Sequence, residues 1–170
     1  RDKAFYYMPN QFENPLNPLA HYETTGVEIL EDLPDLDIDM FIAGIGTGGT
    51  IVGVGKRLKE RNPNTRVIGV VPLPGDSISG LRWLAEGIVS SIIDLNVIDE
   101  RVVVTSRDAI TATNELLRRE GIFAGLSSGA ALHHAIKVAQ EMESGVIVVI
   151  LPDGGWKYLS TDFWSKDPSQ

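Results

Sequence analysis

From Met40 to Glu60 the sequence reads MFIAGIGTGGTIVGVGKRLKE. An apolar run, Met40 to Ala43, passes into Gly44-Ile-Gly46-Thr-Gly-Gly-Thr50, and an amphipathic, charge-ending segment follows. A turn needs one or two glycines. Four glycines and two threonines between a strand and a helix predict that a ligand comes close to the backbone there. This order of strand, glycine loop and helix restricts the fold more than any other feature of the chain.

The rest of the chain repeats that grammar. Helical spacing is expected over Asn14 to Leu33, with Thr24, Val27, Ile29 and Leu30 near an inner face, and over Thr50 to Arg61, with Ile51, Val54 and Leu58 inward. Asn62-Pro63-Asn64 stops the second helix. Strands are expected at Phe5–Met8, Met40–Ala43, Arg66–Val71, Arg101–Thr105 and Gly145–Leu151. Ser106 is expected to cap a helix running to about Glu120, with Asp108 in its first turn. Ser127 or Ser128 is expected to open another, with Ala131, Leu132, Ala135, Val138 and Met142 at helical spacing. Pro72 to Asn96 carries no clear period. Apolar strands alternating with helices predict an α/β fold, a parallel sheet with helices on both faces. In such sheets ligands sit beyond the carboxyl ends of the strands. Three loops are candidates for that edge: Gly44–Thr50, Ala124–Gly129 and Pro152–Gly155.

Composition removes several function classes. The 170 residues suffice for one domain with a sizeable core, and 43% of them are hydrophobic. The net charge of −8 argues against nucleic acid or an anionic membrane as the main partner. With no cysteine, neither a disulfide framework nor a thiolate metal site can form. Surface or structural roles are expected for the three histidines, His21, His133 and His134, and no metal site. No apolar run reaches the roughly 18 residues of a membrane span. The chain begins at Arg1, without a signal-peptide pattern, and is expected to start inside a longer protein.

The glycine loop has a definite chemical use. Backbone N–H groups at a helix start lack intrahelical partners and bind phosphate; Thr47 and Thr50 add hydroxyl donors. No lysine follows the last glycine, so the loop is not a P-loop. GIGTGG matches G-x-G-x-x-G, but the next strand ends in Val70-Val71-Pro72, without the acid a dinucleotide site carries roughly 20 residues on. The reading is a cofactor phosphate, against a purely structural turn. The second loop, GLSSGAALHHAI, offers serines at a helix start, which also fits an ordinary helix cap. The third, LPDGGWKYLST, also fits a strand-ending turn.

Together, and in this order, the three loops and QFENPLNPLAHYETTGVEI resemble the cysteine synthase family. These are pyridoxal-phosphate β-replacement enzymes with the tryptophan-synthase-β type of fold. The likeness covers nearly the whole chain, and PGDSISGLRWLAEG and GWKYLST are similar to the B-type or O-phosphoserine-using branch. The resemblance implies pyridoxal 5'-phosphate as cofactor, with its phosphate cradled by Gly46, Thr47, Gly48, Gly49 and Thr50 and its pyridine nitrogen met by Ser127. It implies Gln11 near the substrate carboxylate and Gly80 facing the substrate. Arg82 would recognise the phosphate of O-phosphoserine, against a solvated arginine paired with Glu86. It implies L-cysteine synthesis from O-acetylserine or O-phosphoserine and a sulfur donor, in a cytoplasmic homodimer, with neither nucleic acid nor membrane as partner.

Two departures stand out. Val70-Val71-Pro72 replaces the family's Val-Glu-Pro. The Schiff-base lysine and its P-x-x-S-x-K-D-R surroundings are absent, as is the T-S-G-N-T loop, so the catalytic residue is not in the chain. Residues 1–170 are therefore expected to be a single C-terminal cofactor-phosphate-binding domain, inactive alone. Other readings are a cystathionine β-synthase or dehydratase of the same fold, a non-catalytic nucleotide-binding module, and an inactive partner-binding half-protein.

Overall fold

The computed structural model describes residues 5–83 and 90–161. The suggested Arg82–Glu86 pair falls partly outside them. Four strands form one parallel sheet: β1 (Met40–Gly44), β2 (Arg66–Pro72), β3 (Glu100–Val104) and β4 (Ile147–Val149), in the order β3-β2-β1-β4. From β1 the chain runs outward to β2 and β3, then returns to pair β4 on the other side of β1. The order thus reverses between β1 and β4, where the loops leaving the strand ends diverge and open a crevice.

Alternate residues of the central strands feed two cores. Met40 and Ile42 of β1, with Ile68 and Val70 of β2, pack against α4 (Ser106–Glu120) and α5 (Leu126–Glu141). Phe41 and Ala43, with Val67 and Val71, pack against α3 (Gly49–Arg61). This is the expected α/β architecture. The edges differ from the expectation of strands buried on both faces. All three residues of β4 are half-buried and Val103 of β3 is exposed, because an edge strand has only one neighbour. β4 is also shorter than Gly145–Leu151.

The expected helix over 14–33 is two helices, α1 (Leu16–Glu23) and α2 (Thr25–Asp32). At the break, both the amide and the hydroxyl of Thr24 donate to the Ala20 carbonyl, at 2.9 and 2.8 Å. A threonine bonding back to the preceding turn competes with the helical ladder and bends it. Thr24 is consequently exposed, while Ile29 and Leu30 do face the core. Phe5–Met8 is exposed and forms no strand; among the described residues it pairs with no strand.

α1 lies against α3 at backbone distance. A Cβ on Gly53 would stand 2.1 Å from the Pro18 carbonyl oxygen and 2.9 Å from His21 Cβ. Only glycine permits this approach. At the far end of the contact, Tyr22 donates its hydroxyl to Glu60 at 2.6 Å and accepts from Arg57 at 3.2 Å. α4 and α5 meet just as closely, where Gly129 faces Thr113 and the Ala109 carbonyl. The small residues of LSSGAAL are thus explained by helix packing.

The cap of α4 is Thr105, not Ser106. Thr105 Oγ1 accepts from the Asp108 N–H at 3.1 Å. Ser106 is the first helical residue, and its N–H donates to Asp76 Oδ2 at 2.6 Å. The carboxylate of the loop after β2 therefore sits on a helix N-terminus. The Ser106 backbone bond, chiefly, holds the Asp76 carboxyl below its usual range; slight burial opposes it, and the Ser106 hydroxyl and Ser77 N–H assist. A lowered folded-state pKa stabilises the fold fully above the unfolded value of 3.8, and that contribution is lost as pH falls through the folded value. Asp76→Ala is therefore expected to cost about 1 kcal/mol at pH 7 in urea denaturation. The gap from wild type should close in the same measurement well below pH 3.8.

Candidate functional site

A cavity of about 230 Å³ opens at the carboxyl ends of the strands. Its wall includes Gly46 to Thr50 from the loop after β1, Gly80 and Leu81 from the segment after β2, Ser127 from the start of α5, and Pro152 after β4. All three candidate loops reach it.

The glycine loop is held from both sides at its first residue. Ile45 is fully buried, donates to the Val70 carbonyl at 2.8 Å and accepts from the Arg82 N–H at 2.8 Å. Gly48 then turns the chain into α3 with a left-handed backbone, φ 93°. The N–H groups of Thr50 and Ile51 have no acceptor among the described residues. They point out of a helix start, where the dipole favours negative charge.

The glycines also have a packing role that the sequence did not show. A Cβ on Gly44 would strike Leu81, one on Gly46 would lie 2.6 Å from the Gly80 carbonyl oxygen, one on Gly48 would strike Ile93, and one on Gly49 would strike Asn17. Each missing side chain makes room for protein, which fixes the loop; none of the vacated positions is filled by the cavity. Free N–H groups and hydroxyls remain to meet a ligand.

Two of those hydroxyls are backed by α1. Asn17 Nδ2 donates to Thr47 Oγ1 at 3.1 Å, and His21 Nε2 lies 3.1 Å from Thr50 Oγ1. The other ring nitrogen of His21 lies 3.1 Å from Thr25 Oγ1. Burial lowers the His21 pKa below 6.5 and favours the neutral ring. His21 thus joins two threonine hydroxyls, and neither its contact with the loop nor that of Asn17 was foreseen. The available signal was two polar residues four apart on one helix face, in NPLNPLAHY.

Ser127 is buried, lines the cavity and has no hydrogen-bond partner among the described residues. The helix-cap explanation fails: α5 is capped at Gly125, both serines lie inside its first turn, and no side chain caps it. Ser128 is fully buried away from the cavity. Gly80, with φ +90°, passes close to Ser127; a Cβ there would meet Ser127 Oγ at 3.3 Å. The third loop supports the second. Gly125 N–H donates to the Asp153 carbonyl at 3.0 Å, and Tyr158 donates its hydroxyl to Asp153 Oδ2 at 2.6 Å. Burial, then the Asp153 carboxylate, pushes the Tyr158 pKa up to about 12.

Two predicted residues lie off the cavity wall. Gln11 is exposed, and its backbone carbonyl accepts from Asn17 Nδ2 at 2.8 Å. Arg82 is exposed, with its guanidinium 4.4 Å from the centre of the Phe12 ring.

Among the described residues, the cavity wall carries no charged side chain. Three of the four described lysines are engaged elsewhere: Lys59 pairs with Asp99 at 2.6 Å, Lys56 lies 5.7 Å from the centre of the Tyr22 ring, and Lys157 is 4.0 Å from Asp153. The donor set fits one end of pyridoxal phosphate and its ring nitrogen. N–H groups and two hydroxyls can receive the phosphate, and a free serine hydroxyl can meet a heterocyclic nitrogen. Among the described residues, no lysine on the cavity wall offers a covalent attachment.

Among the described residues no helix is long and apolar enough to cross a membrane. The cysteine synthase of Aquifex aeolicus (strain VF5) is 45% identical over 165 residues, which cover 94% of this chain and 50% of that protein. The cysteine synthase of Staphylococcus aureus (strain N315) is 39% identical over 175 residues, covering 98% and 56%. The chain thus spans about half the length of the curated relatives it matches. The crystal structure of O-ureido-L-serine synthase superposes with a TM-score of 0.87 at 36% identity, covering 96% of this chain and 54% of that one. O-acetyl serine sulfhydrylase isoform 3 from Entamoeba histolytica gives 0.85 at 34%, covering 95% and 50%. The family described as pyridoxal-phosphate dependent enzyme matches residues 1–153, and the chain belongs to that family.

Proposed function

We propose that these residues form the cofactor-phosphate and ring-nitrogen side of a β-replacement site that makes L-cysteine. The substrate class is an O-activated serine, O-acetylserine or O-phosphoserine, with a sulfur nucleophile. The net change replaces the Cβ–O bond by a Cβ–S bond, with acetate or phosphate leaving. The observation that carries this reading is the meeting of the Gly46–Thr50 loop, Gly80 and Ser127 on one cavity.

Bound pyridoxal phosphate supplies an electron sink for an amino acid's Cα. Free N–H groups at the start of α3 and the hydroxyls of Thr47 and Thr50 hold its phosphate. Ser127 meets the ring nitrogen with a neutral hydroxyl. Unlike a carboxylate, a hydroxyl does not force that nitrogen to stay protonated, so the sink is moderated, which favours replacement at Cβ over transamination. Gly80 offers backbone to the substrate, and Gln11 approaches its carboxylate when the site closes. The Schiff-base lysine belongs to sequence outside these 170 residues, which act as one domain of the whole protein. The working assembly is a cytoplasmic homodimer.

Three outcomes test the reading. Thr50→Ala in the full-length protein should weaken pyridoxal phosphate binding roughly tenfold, as loss of a hydrogen bond to a charged group does. Pyridoxal, which lacks the phosphate, should bind as before in the same absorbance titration. Ser127→Ala should affect turnover more than binding.

The 170 residues alone should form no cysteine from O-acetylserine or O-phosphoserine with sulfide. Robust product from the purified chain would show that no outside lysine is needed.

Arg82 is assigned to the leaving group, since a guanidinium fork suits a phosphate ester and an acetate ester does not need it. Arg82→Leu should lower kcat/KM for O-phosphoserine about tenfold, or about 1.4 kcal/mol, and spare O-acetylserine. Equal losses on both substrates would instead make Arg82 a brace for Phe12.

A further inference from the structure

Thr47 Oγ1 stands in an unusual hydrogen-bonding position. A hydroxyl has one proton and two lone pairs. Asn17 Nδ2 donates to this oxygen at 3.1 Å, and the Gly49 N–H donates to it at 3.3 Å. Both lone pairs are therefore occupied, and the proton of Thr47 has no acceptor among the described residues. Thr47 lines the cavity, so its one remaining capacity is to donate to a ligand there.

The Asn17 amide has no freedom to reverse this. Its other N–H donates to the Gln11 backbone carbonyl at 2.8 Å. A carbonyl only accepts, so Gln11 determines which end of the amide is nitrogen. That nitrogen has two protons, and both are used. Asn17 is half-buried, and its Oδ1 fills the space a Gly49 side chain would take. The amide is thus packed against the loop it orients, and it ties that loop to the segment carrying Gln11.

We propose that Asn17 is a positioning residue that makes the Thr47 hydroxyl an obligate donor to a phosphate in the cavity. The proposal rests on the reading of this loop as the cofactor-phosphate site. Asn17 need not touch the ligand. It acts by leaving Thr47 a single hydrogen-bonding role, so that an anion meets a proton already oriented, not a hydroxyl that must first turn.

The test compares pyridoxal 5'-phosphate with pyridoxal, which differs only in lacking the phosphate, by fluorescence or absorbance titration of the full-length apoprotein. The variants are Asn17→Asp, Asn17→Ala, Thr47→Ala and the double variant Asn17→Ala with Thr47→Ala. Asn17→Asp keeps size and shape but accepts where the amide donates, so it draws the Thr47 proton away from the cavity. It should weaken pyridoxal phosphate binding roughly tenfold, the scale of one hydrogen bond to a charged group, and change pyridoxal binding less than about twofold. Asn17→Ala should show the same selectivity with a smaller loss. In the double variant Asn17→Ala should add almost nothing to Thr47→Ala, since its target hydroxyl is already gone.

Equal losses on both ligands from Asn17→Asp would make Asn17 a structural residue and overturn the proposal. Additive losses in the double variant, or wild-type binding by both Asn17 variants, would also overturn it. If Thr47→Ala and Thr50→Ala both bind pyridoxal phosphate as wild type does, the phosphate reading of the loop fails first and the proposal with it. If those two weaken binding and Asn17→Asp does not, the loop reading stands and Asn17 has no part in it.

Discussion

The backbone contact between α1 and α3 at Gly53 is the constraint on which the candidate site depends. Any side chain there would meet the Pro18 carbonyl oxygen and His21. With glycine, the two helices touch, and a helix face then lies directly behind the glycine loop. Asn17 and His21, one turn apart on α1, reach Thr47 and Thr50 at the start of α3. The hydrogen bonds of Tyr22 with Glu60 and Arg57 hold the other end of the same contact. Moving α1 outward by the radius of a methyl group would detach both threonines at once, since hydrogen bonds of about 3 Å weaken steeply with distance and angle.

The electrostatics of the cavity are local. The chain carries a net charge of −8, yet among the described residues neither a carboxylate nor a cation lines the cavity. Polarity comes from backbone dipoles at a helix start and from hydroxyls. Such groups are held by the fold and reorganise little when a ligand arrives. Asp153, in the third loop, is engaged by the Tyr158 hydroxyl, and it braces the loop bearing Ser127 through the Gly125–Asp153 backbone bond.

Much of this was legible along the chain, because strand, glycine loop and helix are local patterns. Met40–Gly44, Arg66–Pro72 and the helices α3 and α4 lie within a residue or so of their expected bounds. The convergence of loops 44–50, 124–129 and 152–155 also followed, since parallel strands put all their carboxyl ends on one edge. Errors arose where a side chain competes locally with the helical ladder, or where a residue's partner is distant in sequence. The α1–α2 break depends on a local competition at Thr24 that helical periodicity does not register. The shortness of β4 depends on its place at the sheet edge. The helix cap expected at Ser127 or Ser128 failed because the chain enters α5 two residues earlier, held by Asp153 from another loop.

The sequence by itself determined the alternation of elements, the glycine–threonine loop at a helix start and the serine pair at another, because each is written in residues close together. Tertiary structure alone decided why each glycine is needed, which of two serines faces the cavity, and which side chains orient the threonines. Those answers are contacts of Gly46 with Gly80, Gly80 with Ser127, and Asn17 with Thr47. The pairs are separated by tens of residues, and a hydrogen bond or a steric exclusion exists only once packing has brought its two sides within a few ångströms.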